Sequence, residues 1–155
     1  MLLKAALNME AAAMLALAWV LVFVMPHGWA RRLFVSATDH PARNLAVPRP
    51  SDAARAAAVT GRVNRLSAVM PFRTTCLVRA TAGALLLRRR GLRDVTIRFG
   101  VRKTGGALEA HAWLIHQGVV LLGGQDLDSY TPLADLPIGH HAAVDKARVP
   151  RGTRT

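Results

Sequence analysis

Cysteine is almost absent from this sequence: Cys76 is the only one among 155 residues. A single cysteine cannot form an internal disulfide bond, so nothing in the cysteine content indicates an oxidising compartment. We therefore expect a cytoplasmic location. A chain of this length is sufficient for one domain with a hydrophobic core of its own.

Acidic and aromatic residues are also scarce. Asp and Glu total 9 against 21 Lys and Arg, which gives a net charge of +12, and aromatic residues make up 5% of the chain. A large positive charge can indicate nucleic-acid binding. However, the sequence has no helix-turn-helix pattern, no zinc-finger spacing and no series of aromatic residues on which bases could stack. No nucleic-acid partner is therefore predicted, and an acidic peptide suits the surface better.

Metal-binding patterns are missing as well. The sequence has neither Cys-x-x-Cys nor His-Glu-x-x-His. In a strand, His140 and His141 would point to opposite faces, and the same holds for His111 and His116. No metal site is therefore expected.

What the sequence does contain is a long apolar run near its N-terminus. Residues 11–30 carry no charge, and twenty residues are enough to cross a bilayer. No Ala-x-Ala cleavage site follows the apolar run before Arg31, which argues against a secretory signal. Two alternatives remain: a helix in or on a membrane, and a hydrophobic helix that docks on the protein. If the run spans a membrane, Arg31 and Arg32 predict a cytoplasmic remainder.

The rest of the pattern predicts a linker followed by one α+β domain. After an apolar helical segment at 1–35, prolines indicate a linker at 36–50, and a basic tail is expected at 141–155. The domain itself should occupy residues 51–140. Within it we expect an amphipathic helix at 52–70 and a central helix, apolar nearly all round, at 76–90. Three antiparallel strands should follow at 95–102, 108–116 and 119–122.

Cys76 stands at the expected start of the central helix. The positive end of a helix dipole stabilises an anion, and the thiolate is the form of cysteine that acts as a nucleophile. Thr74 or Thr75 can cap this helix through its hydroxyl group. The competing interpretation is a small buried hydrophobic residue, which is the usual role of a free cysteine.

A histidine and an acidic residue follow in the order that thiol catalysis requires. His111 lies in the second strand, and we expect its face of the strand to turn toward the central helix, where the imidazole could take the thiol proton. Asp126 or Asp128, after the third strand, would hold the imidazole, and Asp126 is favoured because it lies nearer the strand. Trp113 shares the face of His111, so it should pack beside the site and is the candidate for contact with a substrate.

These residues resemble a known family. The resemblance is to the lasso-peptide biosynthesis B protein of the leader-peptidase type, a member of the transglutaminase-like cysteine protease superfamily. It rests on Cys76-Leu77-Val78-Arg79, the Arg88-Arg89-Arg90-Gly91 helix end, His111-Ala112-Trp113, Gly123-Gly124 and Tyr130-Thr131-Pro132-Leu133.

The resemblance implies a papain-like core, in which the helix bearing the nucleophile packs on a small antiparallel sheet, with extra helices at the N-terminus. It implies that Cys76 is the nucleophile, His111 the general base and Asp126 the third catalytic residue. The reaction would be removal of the leader from a ribosomally synthesised precursor peptide, without a cofactor. The alternative is a transglutaminase-like scaffold, or membrane-associated interaction protein, that has no catalytic activity.

Partners also follow from the resemblance. They are the precursor peptide, an ATP-dependent lasso cyclase that closes the ring, and a small separate protein that recognises the leader, because no leader-binding domain is visible before residue 51. The resemblance favours docking of the apolar N-terminal segment on the protein, since such proteins also begin with a Leu-rich segment. Membrane contact through residues 11–30 is the other expectation.

Overall fold

The computed structural model describes residues 2–24 and 50–138. The predicted basic tail and nearly all of the predicted linker lie outside these residues. The elements in chain order are α1 (Leu2–Phe23), α2 (Pro50–Ser67), α3 (Cys76–Arg89), β1 (Val95–Thr104), β2 (Ala107–His116), β3 (Val119–Leu122), a short 3₁₀ helix (Leu127–Ser129) and β4 (Thr131–Ile138). The predicted α+β class is confirmed.

The four strands form one antiparallel sheet in the order β3-β2-β1-β4. Three of these strands are predicted from the sequence, and the fourth, β4, is not. It carries Pro132 and Pro137, and proline removes a hydrogen-bond donor from a strand. Because β4 lies at an edge of the sheet and pairs only with β1 among the described strands, it tolerates both prolines.

Helix α3 lies at the centre of the domain, as its apolar sequence predicts. Seven of its residues are buried: Val78, Ala80, Ala82, Gly83, Ala84, Leu86 and Leu87. At Gly83 the helix approaches the sheet so closely that a Cβ atom would lie 2.7 Å from Cδ2 of Leu114 and 2.9 Å from Cδ1 of Leu122. The small residues of α3 therefore allow its backbone to rest directly on β2 and β3.

Helix α1 docks on α2 and α3 through one side. Ala11, Leu15 and Ala18, spaced about one turn apart, are buried there. Glu10 bonds Arg89 at 2.9 Å and Arg90 at 2.6 Å, two cations that also suit the C-terminal end of the α3 dipole. Of the two sequence-based alternatives, the structure has the docked helix.

The outer side of α1 is apolar too. Leu17, Val20 and Phe23 are exposed on it. Among the described residues, α1 is the one helix that is long and apolar enough to cross a membrane. The core helix of a soluble protein can have the same length and composition. Contact with a membrane through this outer side stays a prediction.

A buried histidine lies at the end of β2. His116 is 2% exposed, and its Nε2 atom has no hydrogen-bond partner. Burial lowers the pKa of His116 below its ordinary value of 6.5, and the negative charges of Asp52 and Asp94 oppose this shift only in part. The folded protein therefore binds a proton at His116 more weakly than the unfolded chain does.

We expect the free energy of unfolding to decrease as the pH falls below about 6.5, because the unfolded chain then binds more protons at His116 than the folded chain does. The decrease should level off below the lowered pKa of the folded state. Urea titrations between about pH 7.5 and 5 measure it. In His116→Phe the pH dependence should be smaller, and equal slopes for variant and wild type would contradict this assignment.

Candidate active site

Cys76 is the first residue of α3, where the sequence predicts it. Thr75 is the N-cap: its Oγ1 accepts a hydrogen bond from the backbone N–H of Val78 at 3.3 Å. Thr74 has another role, because its Oγ1 donates to the carbonyl oxygen of Ser67 at 2.8 Å and ties the segment before α3 to the end of α2. Cys76 itself is half-buried and is a free cysteine.

His111 is held by a backbone carbonyl. Its Nε2 atom lies 2.9 Å from the carbonyl oxygen of Gly123, just after β3. A carbonyl oxygen only accepts hydrogen bonds, so in the neutral imidazole Nε2 carries the proton and Nδ1 is the basic nitrogen. At Gly123, where φ is 75°, a Cβ atom would lie 2.9 Å from the carbonyl oxygen of Ala112 and 3.1 Å from Nε2. Glycine is therefore required for this contact.

Aromatic rings surround His111 on its face of the sheet. Trp113 stacks on it with ring centroids 6.0 Å apart, and Tyr130 lies at 5.1 Å. Trp113 covers Gly100 of the neighbouring strand and is only 4% exposed, so it has little surface left for a substrate. The guanidinium of Arg102 lies over the Tyr130 ring, 4.7 Å from its centroid, in a cation–π contact.

The orientation expected for His111 is wrong. The face of β2 that meets α3 carries Leu114, as the close contact with Gly83 shows. Since neighbouring side chains in a strand alternate between faces, His111 and Trp113 lie on the other side. The reason is steric: Gly83 leaves room for a leucine under the helix, whereas the broad indole of Trp113 is accommodated by Gly100 on the opposite face.

Cys76 and His111 nevertheless lie at the same end of the helix–sheet unit. The C-terminal end of α3 leads into β1, whose first residue, Val95, pairs with His116 at the end of β2. The start of α3 therefore lies toward the start of β2. Measured from the Gly83–Leu114 contact, Cys76 is seven helical residues away and His111 three strand residues away, about 10 Å in each case. Among the described residues, no hydrogen bond joins the thiol to the imidazole.

A cavity of about 700 Å³ connects His111 to the first turn of α3. Arg79, one turn after Cys76, lines it and bonds Oδ1 of Asn64 in α2 at 3.4 Å. Cys76 is not among the lining residues. The others come from α2 (Ala57, Thr60, Gly61), from β3 and the loop after it (residues 120–126), and from the far face of the sheet (Arg102, Tyr130).

The two candidate aspartates differ in position. Asp126 lines the cavity together with His111, whereas Asp128 belongs to the 3₁₀ helix and does not. Neither of these carboxylates bonds His111, whose Nε2 atom is bonded to the Gly123 carbonyl instead. The sequence analysis assigned no role to this carbonyl or to Arg102, and it used Arg79 and Tyr130 only as residues of the resembling motifs. The paired glycines at 123 and 124 were the available signal.

Comparison with known proteins is consistent with this architecture. A family model described as the transglutaminase-like superfamily matches residues 17–135, which is well over half of the chain. No curated protein and no solved structure gave a match. The matched range includes the last third of α1, the remaining helices, β1 to β3 and most of β4. The chain therefore belongs to the transglutaminase-like superfamily, which includes cysteine peptidases.

Proposed function

We propose that this protein is a cysteine peptidase that removes the leader from a ribosomally synthesised precursor peptide during lasso-peptide maturation. Membership of the superfamily supports thiol-dependent acyl chemistry. The peptide substrate and the pathway rest on the resemblance of the motifs around Cys76, His111 and Tyr130. The observation that carries the proposal is the cavity that connects an oriented imidazole, Asp126 and the first turn of the helix that begins with Cys76.

In the proposed reaction the Cys76 sulfur attacks the carbonyl carbon of the scissile peptide bond, and the thiol proton passes to Nδ1 of His111. The tetrahedral intermediate then breaks the C–N bond, and the leaving amine takes the proton from the imidazolium. Water, deprotonated by His111, attacks the resulting thioester and releases the carboxylate and the thiol. The reaction consumes one water molecule and requires neither a cofactor nor an oxidant.

The start of α3 offers groups for the developing oxyanion. The backbone N–H of Val78 is used by the Thr75 cap and that of Arg79 by the Thr75 carbonyl. The N–H groups of Cys76 and Leu77 have no hydrogen bond to any described residue. Such N–H groups at a helix start can stabilise the oxyanion of the tetrahedral intermediate.

Two further roles complete the proposed site. The Gly123 carbonyl fixes the imidazole, and Asp126, on the same cavity, supplies negative charge to stabilise the imidazolium during turnover. Because His111 lies on the face of β2 turned away from α3, the proposed reaction requires the imidazole and the thiol to meet around the β3 edge, which the cavity spans from the first turn of α3 to His111. The free protein would reach this arrangement in solution, and a bound peptide would tighten it.

The partners proposed for this reaction are the precursor peptide, a small leader-recognition protein and an ATP-dependent lasso cyclase. The recognition protein would deliver the leader, and peptide cleavage would free an amine that the cyclase consumes when it closes the ring. All of these steps would take place in the cytoplasm.

A second candidate is a transglutaminase-like scaffold without catalysis. It is favoured by the missing hydrogen bond between Cys76 and His111 and by the apolar outer side of α1. A third possibility keeps the catalytic residues but passes the acyl group to an amine instead of water. The mass of the product distinguishes acyl transfer from hydrolysis.

The alkylation rate of Cys76 distinguishes an enzyme from a scaffold. In the folded protein at neutral pH, we expect iodoacetamide to react with Cys76 roughly tenfold faster than in the His111→Ala variant, because the imidazole would promote formation of the thiolate. In denaturant the two proteins should react alike. Equal rates in the folded state would contradict a coupled thiol and imidazole.

A further inference from the structure

We propose that the substrate peptide binds as an added β-strand along the outer edge of β3, in the groove between β3 and α2, and that Arg79 pairs with an acidic side chain of the peptide. This inference rests on the proposed function and specifies the class of substrate: an extended segment with Asp or Glu near the scissile bond. The three observations that carry it concern the sheet edges, the wall formed by α2 and the charge of the cavity.

The two edges of the sheet are built differently. β4 carries Pro132 and Pro137, which hinder the addition of another strand. β3, at the opposite edge, consists of Val119, Val120, Leu121 and Leu122 and has neither proline nor charge. In the described part of the chain β3 pairs with β2 alone, so its outer backbone groups are available to a partner strand. An edge without proline or charge can accept an extended peptide by strand addition.

The cavity lies beside this edge. Its lining includes Val120, Leu121 and Leu122 of β3 on one side and Ala57 and Gly61 of α2 on the other. Such small residues leave space next to the strand, and an added strand would lie about 4.8 Å from β3. Continuing past the end of β3, the same cavity reaches His111, so a peptide in the groove would lead to the catalytic imidazole.

Gly61 shows that this space is not required by the fold itself. A Cβ atom at this position would meet only Nη1 of Arg65, at 3.5 Å, which is an ordinary contact. Glycine inside a helix is unfavourable compared with alanine. Neither packing nor backbone conformation requires glycine at position 61. A ligand that occupies the cavity beside α2 would explain why a larger side chain is absent there.

The charge of the cavity favours an acidic peptide. Arg102 is paired with Glu109 at 2.7 Å. Arg79 differs: among the described residues its hydrogen-bond partner is the neutral amide of Asn64, and it has no carboxylate partner. Asp126 lies on the same cavity and is assigned to His111 in the proposed reaction. A carboxylate on the peptide would therefore find a cation in Arg79 that is not already paired with an acid.

Binding can be measured without cleavage by using the Cys76→Ala protein and a library of fluorescent acetylated octapeptides. The matched variants are Ala57→Leu and Ala58→Leu in this background. Both alanines are exposed on α2, but only Ala57 lines the cavity. Leucine is a good helix former, so both variants should fold. We expect binders rich in Asp or Glu, at least tenfold weaker binding for Ala57→Leu, and unchanged binding for Ala58→Leu.

Backbone pairing is tested with the strongest octapeptide, resynthesised with one N-methyl group at each position in turn. A strand bound through one edge directs alternate N–H groups toward β3, so the loss of affinity should recur at every second residue. Equal binding by the two leucine variants, or N-methyl effects without this period, would overturn the inference, as would failure of every octapeptide to bind. Peptide cleavage by the wild-type protein is measured in a separate experiment. A lack of cleavage would contradict the proposed catalysis without contradicting the proposed binding mode.

Discussion

Replacing the thiol, in Cys76→Ala, is expected to reduce leader cleavage by a factor on the order of 10³ or more, because the variant cannot form the acyl-enzyme. The loss should appear in kcat/KM measured with the precursor peptide and its leader-recognition protein. The fold should survive, since Cys76 is half-buried and packs only at the margin of the core. Cleavage at the wild-type rate by a folded Cys76→Ala protein would exclude the thiol as the nucleophile.

The two aspartates after β3 provide the matched control for this experiment. Both are exposed and lie two residues apart, but only Asp126 lines the cavity with His111. Asp126→Asn should lower kcat/KM by roughly 10²-fold or more if its charge stabilises the imidazolium, whereas Asp128→Asn should remain close to wild type. Similar losses in both variants would contradict a specific role of Asp126, and wild-type activity in both would mean that the Gly123 carbonyl alone orients the imidazole.

The second large effect is expected in α1. Leu15→Ala should lower the free energy of unfolding by about 2–5 kcal/mol, because a fully buried leucine is removed and a cavity remains beside α2 and α3. Leu17→Ala, two residues away on the same helix, is the control: Leu17 is 45% exposed, and its loss should cost under about 1 kcal/mol. Urea unfolding of the purified protein measures both.

Equal effects of these two substitutions would show that α1 does not pack on the domain in solution. If α1 were inserted in a membrane, lipid would surround both Leu15 and Leu17, and the two substitutions should have similar effects on stability. The comparison therefore separates docking from insertion by a thermodynamic measurement. It also tests whether the segment before the predicted linker belongs to the structural unit.

The sequence predicts the central elements because their signals are local. An apolar run that begins at Cys76 and ends in three arginines indicates α3, and the alternation around Gln117-Gly118 indicates the hairpin of β2 and β3. β4 lacks such a signal, because its two prolines and exposed residues are typical of a loop. Its strand conformation depends on pairing with β1.

The face on which His111 lies could not be predicted from alternation. Periodicity establishes that His111 and Trp113 share one face and Leu114 the other, but both faces contain large apolar residues. The choice depends on Gly83 in α3 and Gly100 in β1, which are distant in sequence from β2. The paired glycines at 123 and 124 indicate a turn, but the direction of the Gly123 carbonyl depends on the folded loop and could not be predicted from them.

The role of α1 was left open for a related reason. Its buried stripe and its exposed stripe consist of the same residue types, alanine and large aliphatics. Composition therefore identifies an apolar helix without identifying its environment. The ion pairs of Glu10 with Arg89 and Arg90 join positions about 80 residues apart, and no local pattern could predict them.

The most direct test of a catalytic Cys76–His111 pair is the distance between Sγ of Cys76 and Nδ1 of His111 in a crystal structure of the protein bound to a peptide aldehyde. An aldehyde captures a reactive thiol as a hemithioacetal. The account predicts that Cys76 carries the adduct and that Nδ1 lies within about 4 Å of its sulfur. An adduct elsewhere, or an imidazole still on the far side of the sheet from an occupied Cys76, would contradict it.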